Sequence, residues 1–560
     1  MGPPRGGWAE PWGASGAGSA AADGLSSHGY SITMGLYLLH LHLHGLFRAQ
    51  QLELGRDPDT GGQTTYVLEL AQSLAACAEI DRVEVVTRLI QDRRISPDYA
   101  RACEPLAGGL SIHRLPFGPR RYLRKELLWP FLDELVELLT ARLLAQDRRP
   151  DWIHAHYADA GYVGAQLQRR LGIPLVFTAH SLGREKRRRL LAAGQEARQV
   201  EQKFCLARRI EAEEMALVHS QLVVTSTGQE LAEQYARYGN FRPSRAAVIP
   251  PGVDAKLFFP PSASQGQWPG QADTACGINA LMRPFLREPR RPPVLAICRP
   301  DHRKNIAALV EAFGCSELLR QRHNLVLLLG CRQDTRQLER PQREVFQQLF
   351  ELVDRFDLYG AVAYPKQHLR HQIPAIYRWA ARLGGVFVNS ALTEPFGLTL
   401  LEAGACGLPV VATDDGGPRE ILQQCGHGLL VDVSDLGALG QMIELSLADR
   451  GRWSGWRAAG IAAVSSHYSW AAHVQQYLSS ATAATSAWRI SSGRGLAAIH
   501  PGVVAIGVGH PVAQLVVPEQ PARQLRRVQP GAGHGREQLP HLQRREIGLH
   551  VIPGDLQQSG

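Results

Sequence analysis

Two carboxylates carry the most specific chemistry in this sequence. Glu394 and Glu402 stand with seven residues between them in the run Asn389-Ser390-Ala391-Leu392-Thr393-Glu394-Pro395-Phe396-Gly397-Leu398-Thr399-Leu400-Leu401-Glu402-Ala403. Pro395 makes Glu394 a loop residue just before a predicted helix, with Glu402 two turns inside it. One carboxylate can then accept hydrogen bonds from a sugar ring and the other from a ribose diol. Counter-charge lies upstream, in Cys298-Arg299-Pro300-Asp301-His302-Arg303-Lys304-Asn305. This run follows a buried strand and precedes a helix over 306–313. Arg299 and Lys304 thus flank a helix N-terminus, where a pyrophosphate is favoured by both the cations and the helix dipole.

The first half of the chain offers a second set. Asp57-Pro58-Asp59-Thr60-Gly61-Gly62-Gln63 leads into a helix marked by Val67, Leu70, Ala71 and Leu74. Amides at a helix start with no Cβ in the way form an anion site, although a plain strand-to-helix turn has the same look. Asp57 and Asp59 spell D-x-D, a metal-site pattern, but a loop feeding a helix argues against that use. His40, His42 and His44 alternate and so share one strand face. Two of them could bind zinc, yet no carboxylate or cysteine stands nearby as a third ligand. A mixed face whose end meets a cleft, at His44-Gly45, is the better reading. After the strand 175–178 comes Thr178-Ala179-His180-Ser181-Leu182-Gly183-Arg184-Glu185-Lys186, a polar histidine followed by cations, which suits a sugar and a phosphate.

Such residues need rigid strands behind them, and short apolar runs alternating with helical stretches supply these. The runs at 36–43, 83–88, 152–156, 175–178 and 222–226 predict one parallel sheet. A Pro/Gly/Gln-rich stretch at 261–293 reads as a linker. Runs at 294–298, 325–330, 385–389 and 409–412 then predict a second α/β domain, over 294–468. The first domain spans 34–260 and is completed by a helix near 469–485. Residues 1–33 and 489–560 read as an extension and a tail. From Arg489 onward there is no Phe, Tyr or Trp, against 7% in the whole chain, so too little apolar surface is available to offset ordering.

Composition narrows the function. At 560 residues, with 44% apolar and 20% charged side chains, this is a multidomain globular chain. The net charge of +9 comes from scattered cations rather than a basic block, which points to small anionic substrates and away from nucleic acid. Nine cysteines form no C-x-x-C pair, as expected for free thiols in a reducing, cytoplasmic setting. No apolar run reaches the roughly 18 residues of a membrane span.

In order and spacing, these motifs resemble the retaining glycosyltransferases with the GT-B fold, specifically the sucrose-phosphate synthase family. The likeness runs from about residue 36 to 481. Its carriers are His44-Gly45-Leu46, Asp59 through Gln63, Pro116-Phe117-Gly118-Pro119 with Leu123-Arg124-Lys125-Glu126, His180 through Arg184, Arg299-Pro300-Asp301 with Lys304-Asn305, and Thr393 through Glu402. The resemblance implies two Rossmann-like domains facing each other across a cleft. It implies UDP-glucose or ADP-glucose as donor and fructose 6-phosphate as acceptor, with no metal or other cofactor and a separate phosphatase as a partner. By position it gives Arg299 and Lys304 the diphosphate, with Gly62 amides helping, Glu402 the ribose and Glu394 the transferred glucose. Amides at Phe396, Gly397 and Leu398 meet sugar and phosphate, and His180 meets the glucose. Gly61 and Gln63 face the acceptor, and Lys125, Arg184 and Arg209 are candidates for its 6-phosphate. Sucrose synthase and mannosylfructose-phosphate synthase are the neighbouring activities, and a non-catalytic sugar-nucleotide binder is the alternative from another class. Gly228 departs from the pattern, standing where a larger residue is usual.

Overall fold

The computed structural model describes residues 35–53, 56–261 and 271–493. The expected extension over residues 1–33 and nearly all of the expected tail lie outside them.

Among the described residues, fourteen strands form two sheets. The first contains β1 (Leu36–Leu41), β2 (Ile80–Arg88), β3 (Cys103–Pro105), β4 (Leu110–Leu115), β5 (Trp152–His156), β6 (Leu175–Thr178), β7 (Ser220–Thr225) and β8 (Ala246–Val248), in the order β3-β4-β2-β1-β5-β6-β7-β8. Every pairing is parallel except β3 with β4. The second contains β9 (Pro293–Ile297), β10 (Asn324–Leu328), β11 (Val362–Ala363), β12 (Val386–Asn389), β13 (Val410–Thr413) and β14 (Gly428–Val431), all parallel, in the order β11-β10-β9-β12-β13-β14. Both sheets are covered by helices on their two faces. The strands therefore read as near-continuous apolar runs, with β5, β6, β7 and β10 buried throughout. The α/β, two-sheet expectation holds.

Strand order positions the chemistry. In the first sheet the chain turns back between β1 and β5, and in the second between β9 and β12. Ligands of open parallel sheets bind beyond the carboxyl ends of strands at such switch points. His44 and Gly45 leave β1 there, and Arg299 and Ser390 follow β9 and β12.

The stretch read as a linker holds a helix, Gln271–Met282, and Ile278, Met282 and Leu286 are buried in the core of the second lobe. Its Gly and Pro content masked these three apolar residues at helical spacing. The closing helix spans Trp470–Ser491, longer than expected, and overlaps the first residues assigned to the tail. It packs back on the first lobe. Trp152 Nε1 donates to the Tyr477 hydroxyl (2.9 Å), and Trp470 Nε1 donates to Glu69 (3.0 Å). Arg489 Nη2 donates to the Asp151 carbonyl (3.0 Å). Trp470, Val474, Tyr477 and Ala481 belong to the core beneath β1, β2 and β7. Gly252 is required where the chain crosses, since a Cβ there would meet the Trp470 backbone at 2.6 Å.

Candidate active site

In the second lobe, Arg299, Lys304, Asn389, Ser390, Glu394, Leu398 and Thr399 help line a cavity of about 250 Å³ beyond β9 and β12. Lys304 Nζ lies 2.6 Å from Glu394 Oε2, which also accepts from Asn389 Nδ2 at 3.1 Å. Arg299 is exposed at the cavity mouth. Asn305 adopts φ 51° and opens the helix Ile306–Cys315, its Nδ2 donating to the Val433 carbonyl (3.2 Å). The two expected cations and the first expected carboxylate thus share one cavity.

The loop around Glu394 is clamped to the segment after β13. Glu394 N donates to the Asp415 carbonyl (3.0 Å), Gly417 N to the Glu394 carbonyl (2.9 Å) and Thr393 Oγ1 to Asp415 Oδ2 (2.6 Å). Gly416, at φ 109°, brings the two backbones within contact, where a Cβ would stand 2.0 Å from the Glu394 carbonyl oxygen. The next helix begins at Leu398 behind Gly397 at φ 107°. Glu402 is therefore a little more than one turn inside it, less deep than expected, because Gly397 delays the helix past Pro395 and Phe396. Glu402 accepts a hydrogen bond from the Tyr377 hydroxyl (3.2 Å). Phe396, Gly397 and Leu398 form the turn between the two carboxylates.

In the first lobe, Gly61 caps the helix Gly62–Ala75. A Cβ on either Gly61 or Gly62 would meet nothing within 4 Å, so the helix start is open to a ligand. Asp57 organises the loop: its carboxylate accepts from Asp59 N (2.8 Å), Thr60 N (3.1 Å), Thr60 Oγ1 (2.8 Å) and the Tyr122 hydroxyl (2.7 Å). Asp59 pairs with the Lys125 ammonium and accepts from Lys125 N at 2.9 Å. Burial would raise this carboxyl, but Lys125 outweighs it and holds the pKa below the ordinary value. The D-x-D pattern is thus occupied by loop hydrogen bonds and a lysine.

Gln63 is held inward, its Nε2 3.1 Å from His42 Nδ1 and 3.4 Å from the His156 carbonyl. Arg184 turns to Glu214 (2.8 Å) and stacks on Tyr238. Arg209 is buried, bonded to Glu213 (2.8 Å) and Ser181 Oγ (3.1 Å), with its guanidinium over Tyr157. Arg184 and Arg209 therefore brace the His180 loop with carboxylate partners of their own. Lys186, one of the cations read after His180, has its ammonium over Phe204 (3.9 Å) within the field of Arg209 and Lys125. Burial first, and then these two cations, lower its pKa to about 8. It sits on the first turn of the helix Gly183–Ala192, after the His180 loop.

His180 follows β6 with φ 56°. Its Nε2 lies 3.0 Å from His156 Nδ1, and Tyr66 packs edge-on against the ring. His156 Nε2 is in turn 3.1 Å from His40 Nδ1. His44 bonds Asp159 (2.8 Å). Among the described residues, His40, His154 and His156 form a group able to hold a metal, with ring nitrogens within 4.8 Å of one another. This differs from the strand-face set His40, His42 and His44: the partners of His40 come from β5, whose His154 pairs with it in register.

Across the cleft, Glu420 accepts from Gly228 N (2.9 Å) and Gln229 N (2.8 Å) of the first lobe. A Cβ on Gly228 would stand 3.4 Å from this carboxylate, an ordinary contact distance, so the bond of a second-lobe side chain to first-lobe backbone does not depend on the glycine. A cavity of about 650 Å³ beside it is lined from both lobes, by Gln229 and Glu233 on one side and Asp414, Asp415 and Arg419 on the other.

Comparison with known proteins agrees with this layout. Residues 60–257 match Glycosyltransferase Family 4, and residues 279–461 match Glycosyl transferases group 1. The chain is 39% identical over 497 residues to probable sucrose-phosphate synthase 1 of Oryza sativa subsp. indica, covering 79% of this chain and 46% of that protein. It is 38% identical over 498 residues to sucrose-phosphate synthase 4 of Arabidopsis thaliana, covering 79% and 47%. The chain thus spans about half the length of the curated relatives it matches. Among solved structures, the sucrose-phosphate synthase of Thermosynechococcus elongatus superposes with a TM-score of 0.60 at 26% identity, over 82% of this chain and 100% of that one. No helix among the described residues is long and apolar enough to cross a membrane.

Proposed function

We propose that this chain, which belongs to the two-module glycosyltransferase family of the sucrose-phosphate synthases, transfers glucose from UDP-glucose or ADP-glucose to fructose 6-phosphate with retention. The observation that carries the reading is the shared cavity of Arg299, Lys304 and Glu394 at the second switch point. A diphosphate there meets two cations and the Phe396–Leu398 amides, while Glu394 is placed for the sugar and Glu402 for the ribose. Charge developing on the leaving diphosphate is stabilised by groups already in position, which is the largest catalytic effect available to such a site. The same cations make a metal unnecessary in this reading.

Acceptor recognition falls to the first lobe. The open amides at Gly61 and Gly62, with Lys125 and Lys186, offer a phosphate site beside His180, and Arg209 holds the Ser181 loop behind it. Closure across the Glu420 contact excludes water that would hydrolyse the donor. Eight free cysteines among the described residues support a reducing, cytoplasmic setting, where a separate phosphatase would consume the product.

A donor-by-acceptor activity matrix, with product identification and anomeric configuration by NMR, tests the proposal. Equal rates with fructose and fructose 6-phosphate would move the chain to the sucrose synthases. Preference for a mannosyl donor would move it to the mannosylfructose-phosphate synthases, and no turnover would favour a sugar-nucleotide binder.

A further inference from the structure

His180 ends a line of buried imidazoles. His40 on β1 pairs in register with His154 on β5, and His156, two residues on, pairs with Thr178 on β6. His40 Nδ1 lies 3.1 Å from His156 Nε2, and His156 Nδ1 lies 3.0 Å from His180 Nε2. The planes of the His40 and His156 rings are 10° apart. His40 and His156 are fully buried, where a charged imidazole is disfavoured, so each ring carries one proton.

Single protonation gives the line a direction. Each nitrogen pair shares one proton, so all protons sit on the His40 side of their bonds or all on the His180 side. The outer nitrogen of His40, Nε2, is buried without a partner among the described residues. If the bonds ran toward His40, this nitrogen would be an orphaned N–H, the rarest kind of buried polar group. If they run toward His180, it is a lone pair, both N–H groups within the line are satisfied, and the N–H left over is that of His180 Nδ1.

We infer that His40 and His156 are positioning residues that fix His180 as its Nδ1–H tautomer, leaving a hydrogen-bond donor rather than a base to face the cleft. This rests on the reading of His180 as the residue that meets the transferred sugar. In its strained backbone conformation, His180 then offers Nδ1–H to a sugar oxygen, its other nitrogen already accepting from His156.

The test separates tautomer from activity. With ¹⁵N-histidine labelling of the full chain, and the His180 signals assigned by their loss in His180→Ala, wild type is expected to show protonated Nδ1 and unprotonated Nε2. His156→Leu is expected to abolish that preference and to lower kcat about 10- to 100-fold, as for one misplaced donor, with KM values little changed. Asn places an amide donor where Nδ1–H stood, so His156→Asn is expected to restore the tautomer and most of kcat. A protonated Nε2 on His180 in wild type, or His156→Leu with wild-type kcat and a folded spectrum, overturns the inference. So does stoichiometric zinc that co-purifies and is lost in His154→Ala, because the line nitrogens would then be ligands. If wild type shows no transferase activity yet keeps the Nδ1–H tautomer, the functional reading fails while the line stands.

Discussion

Replacing Lys304 with methionine keeps the length of the side chain and removes its charge. In the structure the ammonium is 2.6 Å from Glu394 Oε2, and that oxygen has Asn389 Nδ2 as its other donor, at 3.1 Å. A hydrogen bond to a charged group contributes about 1.5–3 kcal/mol. If Lys304 makes one to the diphosphate, as proposed, losing it should lower kcat/KM for the nucleotide-sugar about 10- to 150-fold. The uncovered Glu394 carboxylate then faces the diphosphate without a cation between them, which acts in the same direction. Because the proposed site has Lys304 touch both groups, the effects are coupled. Glu394→Gln should cost at least about 1 kcal/mol less in the Lys304→Met background than alone. Initial rates at subsaturating donor and saturating acceptor give the first quantity, and product inhibition by the nucleoside diphosphate gives an independent one. Lys304→Met within about threefold of wild type in both measurements would refute the placement of the diphosphate, and strict additivity would refute the shared site.

Lys125→Met should raise KM for fructose 6-phosphate about 10- to 100-fold and leave the small rate with free fructose nearly unchanged, measured with the two acceptors side by side. Lys186 has a folded pKa lowered to about 8. Its ammonium is thus lost as pH rises through 8, while the substrate phosphate, with a second pKa of about 6, stays dianionic. KM for fructose 6-phosphate should rise up to about tenfold from pH 7 to pH 9, and Lys186→Met should flatten that rise. Since the unfolded chain holds this proton to higher pH than the folded one, the same group makes the free protein more stable, not less, between about pH 8 and 10.4. Tyr477 is fully buried against Trp152, so Tyr477→Ala should cost about 3–5 kcal/mol by urea denaturation. A chain ending at Gly493 should keep wild-type kcat, whereas one ending at Tyr468 should fail to fold.

The parts legible in the sequence were those set by local pattern. Buried central strands such as β5, β6 and β10 show as apolar runs, and the Pro-Phe-Gly turn located Glu394 and Glu402 on its two sides. Edge strands were not legible: β3, β8 and β11 are two or three residues long and carry no period. Nor were roles that depend on a partner far along the chain. Arg209 looked available for a phosphate until its neighbours Glu213 and Ser181 were seen around it. Its i+4 glutamate was the one warning present in the sequence. The alternation of His40, His42 and His44 was visible, but the partners of His40 lie more than 110 residues away and meet it only because β1 is flanked by β2 and β5.

The return of the last helix to the first lobe orders events during synthesis. The core beneath β1, β2 and β7 lacks Trp470, Val474, Tyr477 and Ala481 until those residues have been made. The second lobe has all its strands once residue 431 is complete, and its last core side chain once Tyr468 is made. A ribosome adding about 5–20 residues per second thus exposes the first lobe in an unfinished state for tens of seconds, while the whole second lobe is being made. The N-terminal half of this chain is the half that a chaperone would have to guard.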